Sequence, residues 1–265
     1  MTITAKDVMK LRNSTGLPMM DCKAALGEAG GDLEKAEELL RIKLKGKMEK
    51  RSDRAAGEGC ISVAVDAPGG AAAIIELRAE TDFTAKNEKF YTAAQKIAEE
   101  VLAGNGDNAN PLIEDLRIST GENISLGRSK KITGTAGSSK FGVYVHHDRK
   151  TGVVIHAEGA DEDALKQVCM HITANPVRPL GVTPDDIPEN MVEKERSFRL
   201  AQAMDSGKPK EIAEKIVEGG MRKFYEEVAL LEQPFVMDPS KKIKELLGDG
   251  AKVHEFVRWQ IGETD

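Results

Sequence analysis

Apolar positions along this chain change their period several times, and each change marks a boundary between elements. Over residues 1 to 46, Val8 and Leu11, then Met20, Ala24, Ala25 and Leu26, then Leu33, Ala36, Leu39, Leu40 and Leu44 follow a helical spacing. Thr15-Gly16-Leu17-Pro18 and Gly30-Gly31-Asp32 interrupt it, and Asp32 is suited to cap the third helix. Helices this short are marginal alone, so the pattern predicts a compact three-helix module with the stripes buried together. Neighbouring helical residues point about 100° apart. One of Met19 and Met20 is therefore expected in the core and the other outside, where a flexible thioether suits a partner's groove.

Arg41 to Arg54 carries seven Lys/Arg against two acids and reads as a solvated, partly helical linker. From Ile61 the period becomes two. Ile61, Val63 and Val65, a turn at Asp66-Ala67-Pro68-Gly69-Gly70, and Ala72, Ile74, Ile75 and Leu77 predict a β-hairpin. Phe90, Ala94, Ile97, Ala98 and Val101 predict the helix that follows. The same order recurs with Phe141, Val143 and Val145, a turn over 148–152, Val153 to Ile155, and the helical set Leu165, Val168, Cys169 and Ile172. Between the two units, residues 112–117 suit a helix and residues 124–132 a strand.

Asn175-Pro176-Val177-Arg178-Pro179-Leu180 ends the second unit, because prolines at that spacing forbid a helix. Two charged helical stretches, over 188–204 and 209–230, then flank the turn Asp205-Ser206-Gly207-Lys208, with Pro209 in the first turn of the second. Their stripe of Ile212, Ile216, Met221, Phe224 and Val228 is narrow, which predicts a projecting antiparallel hairpin of coiled-coil type. Phe235-Val236-Met237 is apolar but hemmed by prolines, residues 243–247 suit a short helix, and Val253, Val257, Trp259 and Ile261 a last strand. The fold class is α+β. The expected division is 1–54 for the module and linker, 55–140 for the first half of a duplicated hairpin-plus-helix α/β core, 141–184 with 232–265 for the second half, and 185–231 for the helical hairpin.

Charge and composition narrow the function classes. A net charge of −6 argues against general nucleic-acid binding, and neither a signal-peptide pattern nor a long apolar run points to export or a membrane. With three cysteines far apart, Cys22, Cys60 and Cys169, the expectation is a cytoplasmic protein without a disulfide framework. There is no Gly-x-x-x-x-Gly-Lys-Ser/Thr loop, no Cys-x-x-Cys pair, no His-Glu-x-x-His helix and no Gly-x-Ser-x-Gly elbow. His146 and His147 are placed at a strand end, facing opposite ways, and so are unable to share one ion. Cys22 suits a small buried packing role. No metal, cofactor or enzymatic chemistry is expected.

The stretch Glu80 to Phe90 joins a strand to a helix, where a loop is held rigidly while its side chains reach outward. On the local pattern alone, Asp82 or Thr84 caps the helix and Phe83 enters the core. Motifs elsewhere change that expectation. Thr15-Gly16-Leu17-Pro18-Met19-Met20-Asp21-Cys22-Lys23-Ala24-Ala25-Leu26, Thr81-Asp82-Phe83, Gly121-Glu122-Asn123-Ile124, Ser206-Gly207-Lys208-Pro209-Lys210-Glu211-Ile212-Ala213-Glu214-Lys215 and Gln233-Pro234-Phe235-Val236-Met237-Asp238-Pro239-Ser240-Lys241 come in that order. Together they resemble bacterial elongation factor Ts, the family of guanine-nucleotide exchange factors for elongation factor Tu. The N-terminal helices also resemble a ubiquitin-associated module.

The resemblance implies a partner, elongation factor Tu in GDP-bound and nucleotide-free forms, and no cofactor. It implies that Phe83 wedges between partner helices while Asp82 and Thr81, with Thr84 beside them, disturb the metal-holding arrangement. It places Arg12, Met19, Met20 and Lys23 against the nucleotide domain, His146 beside Phe83 on the phosphate-loop side, and Val236 and Met237 on another partner domain. It also implies homodimer contacts through 185–231 in some members. The sequence departs from the family pattern at Leu17-Pro18, at Thr84 where an apolar residue is usual, at Gly220 where arginine is common, and in lacking an extra C-terminal helix. Two other readings compete: an adaptor that binds through the N-terminal module and dimerises through the hairpin, and a metabolic enzyme, for which no titratable cluster is visible.

Overall fold

The computed structural model describes residues 3–49, 51, 53–205 and 210–263. They form two compact units, Met1–Ala64 with Ala73–Lys131 and Gln260–Asp265, and Val65–Ala72 with Ile132–Trp259. The first opens with α1 (Ala5–Thr15), α2 (Met19–Glu28) and α3 (Leu33–Glu49). Thr4 and Asp7 close a capping box on α1. Asp32 Oδ1 accepts the amides of Glu34 and Lys35 at the start of α3, as its position predicts. Val8, Leu11, Leu17, Cys22, Leu26, Ala36 and Leu40 make the module's core.

Neither methionine of the pair is in that core: Met19 is 45% exposed and Met20 72%. The expectation that one would be buried fails because Pro18 holds an extended backbone at the N-cap of α2. That geometry turns Leu17 inward, to 4% exposure, into the place a methionine was expected to fill. The basic stretch is largely exposed and partly helical, as expected, but it is also tethered. Helix α3 runs through most of it, and its arginines dock at long range. Arg41 Nη2 lies 2.6 Å from Asp115 Oδ1, Arg51 donates to the Gly121 carbonyl at 2.6 Å, and Arg54 pairs with Glu80 at 3.3 Å.

Strands β1 (Glu58–Asp66) and β2 (Ala71–Ala79) form the predicted hairpin. After α4 (Asp82–Ala85), α5 (Glu88–Ala103) and α6 (Ala109–Thr120), strand β3 (Ser125–Thr133) completes a sheet of order β1-β2-β3. Helix α5 lays Phe90, Ala94, Ile97 and Ala98 on Ile75, Leu77 and the small residues Cys60 and Ala64, and Ser62 donates to Gln95 at 2.9 Å. The face of β1 under α5 is thus the one with small side chains, which admit the helix closely, and not the Ile61-Val63-Val65 face. Glu76 on β2 is fully buried and is compensated by two guanidinium groups, Arg78 at 3.0 Å and Arg128 at 2.7 Å.

The second unit repeats the order of elements. Strands β4 (Ser139–Val145) and β5 (Thr151–Glu158) pair antiparallel with Val143 opposite Val154, and α7 (Glu162–Ala174) follows. Helices α8 (Glu189–Asp205) and α9 (Lys210–Val228) come next, then β6 (Pro234–Phe235), β7 (Asp238–Lys242), α10 (Ile243–Leu247) and β8 (Lys252–Gln260), which joins a sheet of order β4-β5-β8. Val153, Ile155, Leu165, Val168, Cys169 and Ile172 pack with Leu230, Phe235 and Ile243. The chain is α+β with the hairpin-then-helix order occurring twice.

Helices α8 and α9 pack together, but one residue out of the predicted phase in the first turns of α9. Ala213 and Val217 are buried there with Met221, Phe224 and Val228, whereas Ile212 and Ile216 are 50% and 42% exposed. Smaller residues at the contact allow the helices to approach. Gly220 has a similar cause: a Cβ there would stand 2.7 Å from the guanidinium of Arg199, which occupies the space and holds Glu195 at 2.6 Å. Residues 206–208 of the expected turn, and Pro209, lie outside the described residues.

Candidate functional site

The first unit presents Phe83 on α4, a single helical turn between β2 and α5. Thr81 caps it, accepting the Thr84 amide at 3.4 Å, while Asn87 caps α5 by accepting from Lys89. Neither Asp82 nor Thr84 is the cap that the local pattern suggested, and Phe83 is 85% exposed instead of buried. Leaving a phenylalanine in water forgoes roughly 1.5–3 kcal/mol of burial. Asp82 is half-exposed and takes a hydrogen bond from Lys86 Nζ at 2.7 Å, which raises the lysine's pKa. Thr84 is buried.

What holds this turn comes from the end of α6. Gly121 there adopts a left-handed backbone, φ 73°, which ends the helix without a Cβ penalty and swings the chain beneath α4. Glu122 then accepts three hydrogen bonds: from the Thr81 amide at 3.1 Å, the Thr81 hydroxyl at 2.6 Å and the Thr84 hydroxyl at 2.7 Å. The Asn123 amide donates to Glu80 at 2.7 Å, and the Asn123 side chain donates to the Arg54 carbonyl at 2.7 Å. Arg54 closes the group through Glu80. Bonds to an ionised acceptor are roughly twice as strong as neutral ones. Four residues too few to hold a helix alone are thereby fixed from outside.

The N-terminal module borders the same region of this unit. Gly16, at the turn before α2, lines a cleft of about 190 Å³ together with Thr84, Asn87 and Phe90. Arg12 and Lys23 are exposed on α1 and α2, as are Met19 and Met20. Of the module's residues, Gly16 is the one that shares this cleft with Thr84.

The second unit presents two further features. His146 follows the end of β4, half-buried, with the Tyr144 hydroxyl 3.1 Å from its Nδ1. Its ring centroid is only 4.3 Å from that of His147. The expectation of opposite faces fails because β4 ends at Val145, so strand alternation no longer applies. The turn closes with the Arg149 amide on the His146 carbonyl at 2.8 Å, and Arg149 carries the one positive φ among the described non-glycine residues, 57°. Val236 and Met237 form the tip of the β6–β7 hairpin, between the paired residues Phe235 and Asp238, and are 41% and 67% exposed.

That tip has its own buried anchor. His171 on α7 is fully buried, its Nδ1 accepts the Val236 amide at 3.1 Å, and its Nε2 lies 2.9 Å from Gln233 Oε1. Gln233 spends its NH2 group on the carbonyls of Val177 and Glu227, so its oxygen must accept from the histidine. The ring is therefore neutral, with its proton on Nε2. Burial lowers its pKa below the ordinary value, opposed by the Gln233 bond. Glu122, Glu80, Asn123, His171 and Gln233 are the residues that local pattern did not single out. The only signal for four of them was membership of the motifs beginning at Gly121 and Gln233 and of the stretch beginning at Glu80; His171 had none.

Among the described residues, no group of three or more His, Cys, Asp or Glu could hold a metal ion, and no helix is long and apolar enough to cross a membrane. Cys22 is buried, consistent with packing.

Each unit thus carries an exposed apolar tip on a short turn, Phe83 in the first and Val236–Met237 in the second, held by a half-buried Glu122 and a buried His171 respectively. Residues 80–263 match the family model described as Elongation factor TS. Along almost the whole chain, the elongation factor Ts of Thioalkalivibrio sulfidiphilus is 42% identical, covering 99% of this chain and 93% of its own length. That of Pasteurella multocida is 42% identical over 98% and 92%, and that of Francisella tularensis subsp. novicida 44% over 98% and 92%. By class, then, the chain is a translation elongation factor. It belongs to the elongation factor Ts family.

Proposed function

We propose that this chain is a nucleotide-exchange factor: it binds elongation factor Tu carrying GDP, speeds release of the GDP and of Mg²⁺, and so lets GTP load. The observation that carries this is Phe83, 85% exposed on a turn fixed from beneath, in a chain of this family. A GTPase holds GDP through its phosphate loop, switch segments and a Mg²⁺ that bridges phosphate and protein oxygens. An aromatic ring that enters a pocket open only after those elements shift stabilises the loosened form. Each ~1.4 kcal/mol so gained quickens release about tenfold. Thr81 and Asp82 disturb the metal-holding side, with Thr84 anchoring the turn. Arg12, Met19, Met20 and Lys23 grip the nucleotide domain, His146 acts on the phosphate-loop side, and Val236 and Met237 hold a further partner domain.

Thermodynamic linkage limits what such a factor does. It weakens each nucleotide's binding by the same free energy by which that nucleotide weakens its own. Since it is not consumed, the nucleotide concentrations and not the factor set the balance of GDP- and GTP-bound partner. It forms no covalent intermediate, is not an enzyme in the chemical sense, and acts in the cytoplasm. The division at 1–54, 55–140, 141–184 with 232–265, and 185–231 separates grip, wedge, counter-grip and hairpin. Exposure of Phe198 (63%) and Ile212 (50%) supports contacts between hairpins of two copies.

The test is release of fluorescent GDP from bacterial elongation factor Tu, alone, with this protein, and with Phe83→Ala. Strong acceleration that falls roughly thirtyfold in the variant, the loss expected of a central interface anchor, is the predicted outcome. No acceleration by the unmutated protein at micromolar concentration would sink the proposal and leave the adaptor reading.

A further inference from the structure

The motif Gly121-Glu122-Asn123-Ile124 has no part in the exchange reading, yet it supplies the group beneath the Phe83 turn. We infer that Glu122 is a positioning residue: it sets the direction in which Phe83 leaves the surface, and with it the capacity of that ring to enter a partner's pocket. The inference rests on the proposal that Phe83 acts on a partner.

Phe83 is too exposed to be oriented by core packing. Its direction must come from the backbone of α4, which has four residues, fewer than a helix needs to persist alone. Within that turn the backbone supplies short closures, Ala85 to Thr81 at 3.1 Å, Lys86 to Asp82 at 3.0 Å and Asn87 to Thr84 at 3.1 Å. Thr81 also caps the Thr84 amide, and Thr84 and Ala85 are buried. Thr81 and Thr84 stand on either side of Asp82 and Phe83, and the side-chain bonds that reach them from outside the turn converge on one carboxylate. Glu122 Oε1 takes both hydroxyls and Oε2 takes the Thr81 amide. The third of these bonds exists because Thr84 carries a hydroxyl where the resemblance implies an apolar residue. The second lacing, from Asn123 to Glu80, holds the same two corners together one residue further along. An anchor ordered before encounter avoids the cost of ordering it on binding.

Glu122→Gln keeps the shape and one oxygen for the hydroxyls, but sets an NH2 group against the Thr81 amide. Hydrogen exchange of the Thr81 and Ala85 amides should quicken about tenfold or more through local opening, with the thermal midpoint within a few degrees of the parent. Stimulated GDP release should fall roughly tenfold, as for a misplaced reacting group. On a Phe83→Ala background the same substitution should cost nothing further, since residues acting through one another are not additive. Thr84→Val, which keeps volume and removes one donor, should show the same pattern more weakly and serves if the glutamine variant fails to fold.

Unchanged amide exchange at α4, or a loss of release that adds fully to that of Phe83→Ala, would overturn the inference. If the unmutated protein releases no GDP, the reading of Phe83 falls. Amide exchange in the variant then decides by itself whether Glu122 holds the turn.

Discussion

The Phe83 turn and the Val236–Met237 hairpin tip solve one problem by different chemistry. Each sets apolar side chains in water, and each is held by a buried or half-buried polar group from another element. Under Phe83 the anchor is a carboxylate collecting three donors. Under Val236 it is a neutral imidazole, accepting from the backbone on one side and donating to Gln233 on the other. A carboxylate offers lone pairs in several directions and tolerates small shifts of its donors. An imidazole in one tautomer tolerates none, because reversing either bond sets donor against donor. The first anchor defines a direction; the second defines a protonation state.

The largest expected effect comes from removing the more exacting anchor. His171→Ala leaves the Val236 amide and Gln233 oxygen unpaired in the core and opens a cavity, costing about 3 kcal/mol in urea unfolding. A loss under about 1 kcal/mol would mean that water replaces the ring, and that the two anchors differ less than their geometry implies.

Acid comes next. His171 has a folded-state pKa below its unfolded value, so the unfolded chain binds more protons as the pH falls. The contribution of the neutral ring is complete above about 6.5 and is lost as the pH drops through that value toward the folded pKa. The slope for one proton is at most about 1.4 kcal/mol per pH unit. His156 is pushed the same way, by burial and then by His254, whose ring stacks on it at 4.7 Å. Global unfolding therefore mixes two histidines, and exchange of the Val236 amide isolates His171. Faster Val236 exchange at pH 5.5 than at 7.5, after correction for intrinsic rates, is the expected result.

The smallest effect is on stability at Phe83. Because the ring touches little of its own chain, Phe83→Ala should change unfolding free energy by no more than about 0.5 kcal/mol. A larger loss would show that the residue serves the fold as well as the surface.

Most of the architecture was legible because it is periodic. Both hairpins, the helices after them and the cap at Asp32 follow from local spacing. The anchors were not, since Glu122 stands 41 residues from Thr81 and His171 65 from Val236, and a hydrogen bond across such a separation leaves no periodic trace. Other misses came from size. Leu17 displaced a methionine from the core, and Ala213 and Val217 took the helix contact from Ile212 and Ile216, because close-packed elements favour the residue that fits over the most apolar one. Phe83 was ambiguous by pattern, and resemblance, not spacing, pointed it outward.

The exposed thioethers have a chemical consequence. Met20 and Met237, 72% and 67% exposed, stand on the surfaces proposed to meet a partner, while Cys22, Cys60 and Cys169 are all buried. Burial also raises the Cys169 pKa and keeps it a thiol. Peroxide should therefore convert these methionines to polar sulfoxides before it reaches any cysteine. Oxidative damage to this protein would fall first on these exposed side chains, the ones proposed to meet a partner, and leave its fold intact, a lesion that methionine sulfoxide reductases can reverse.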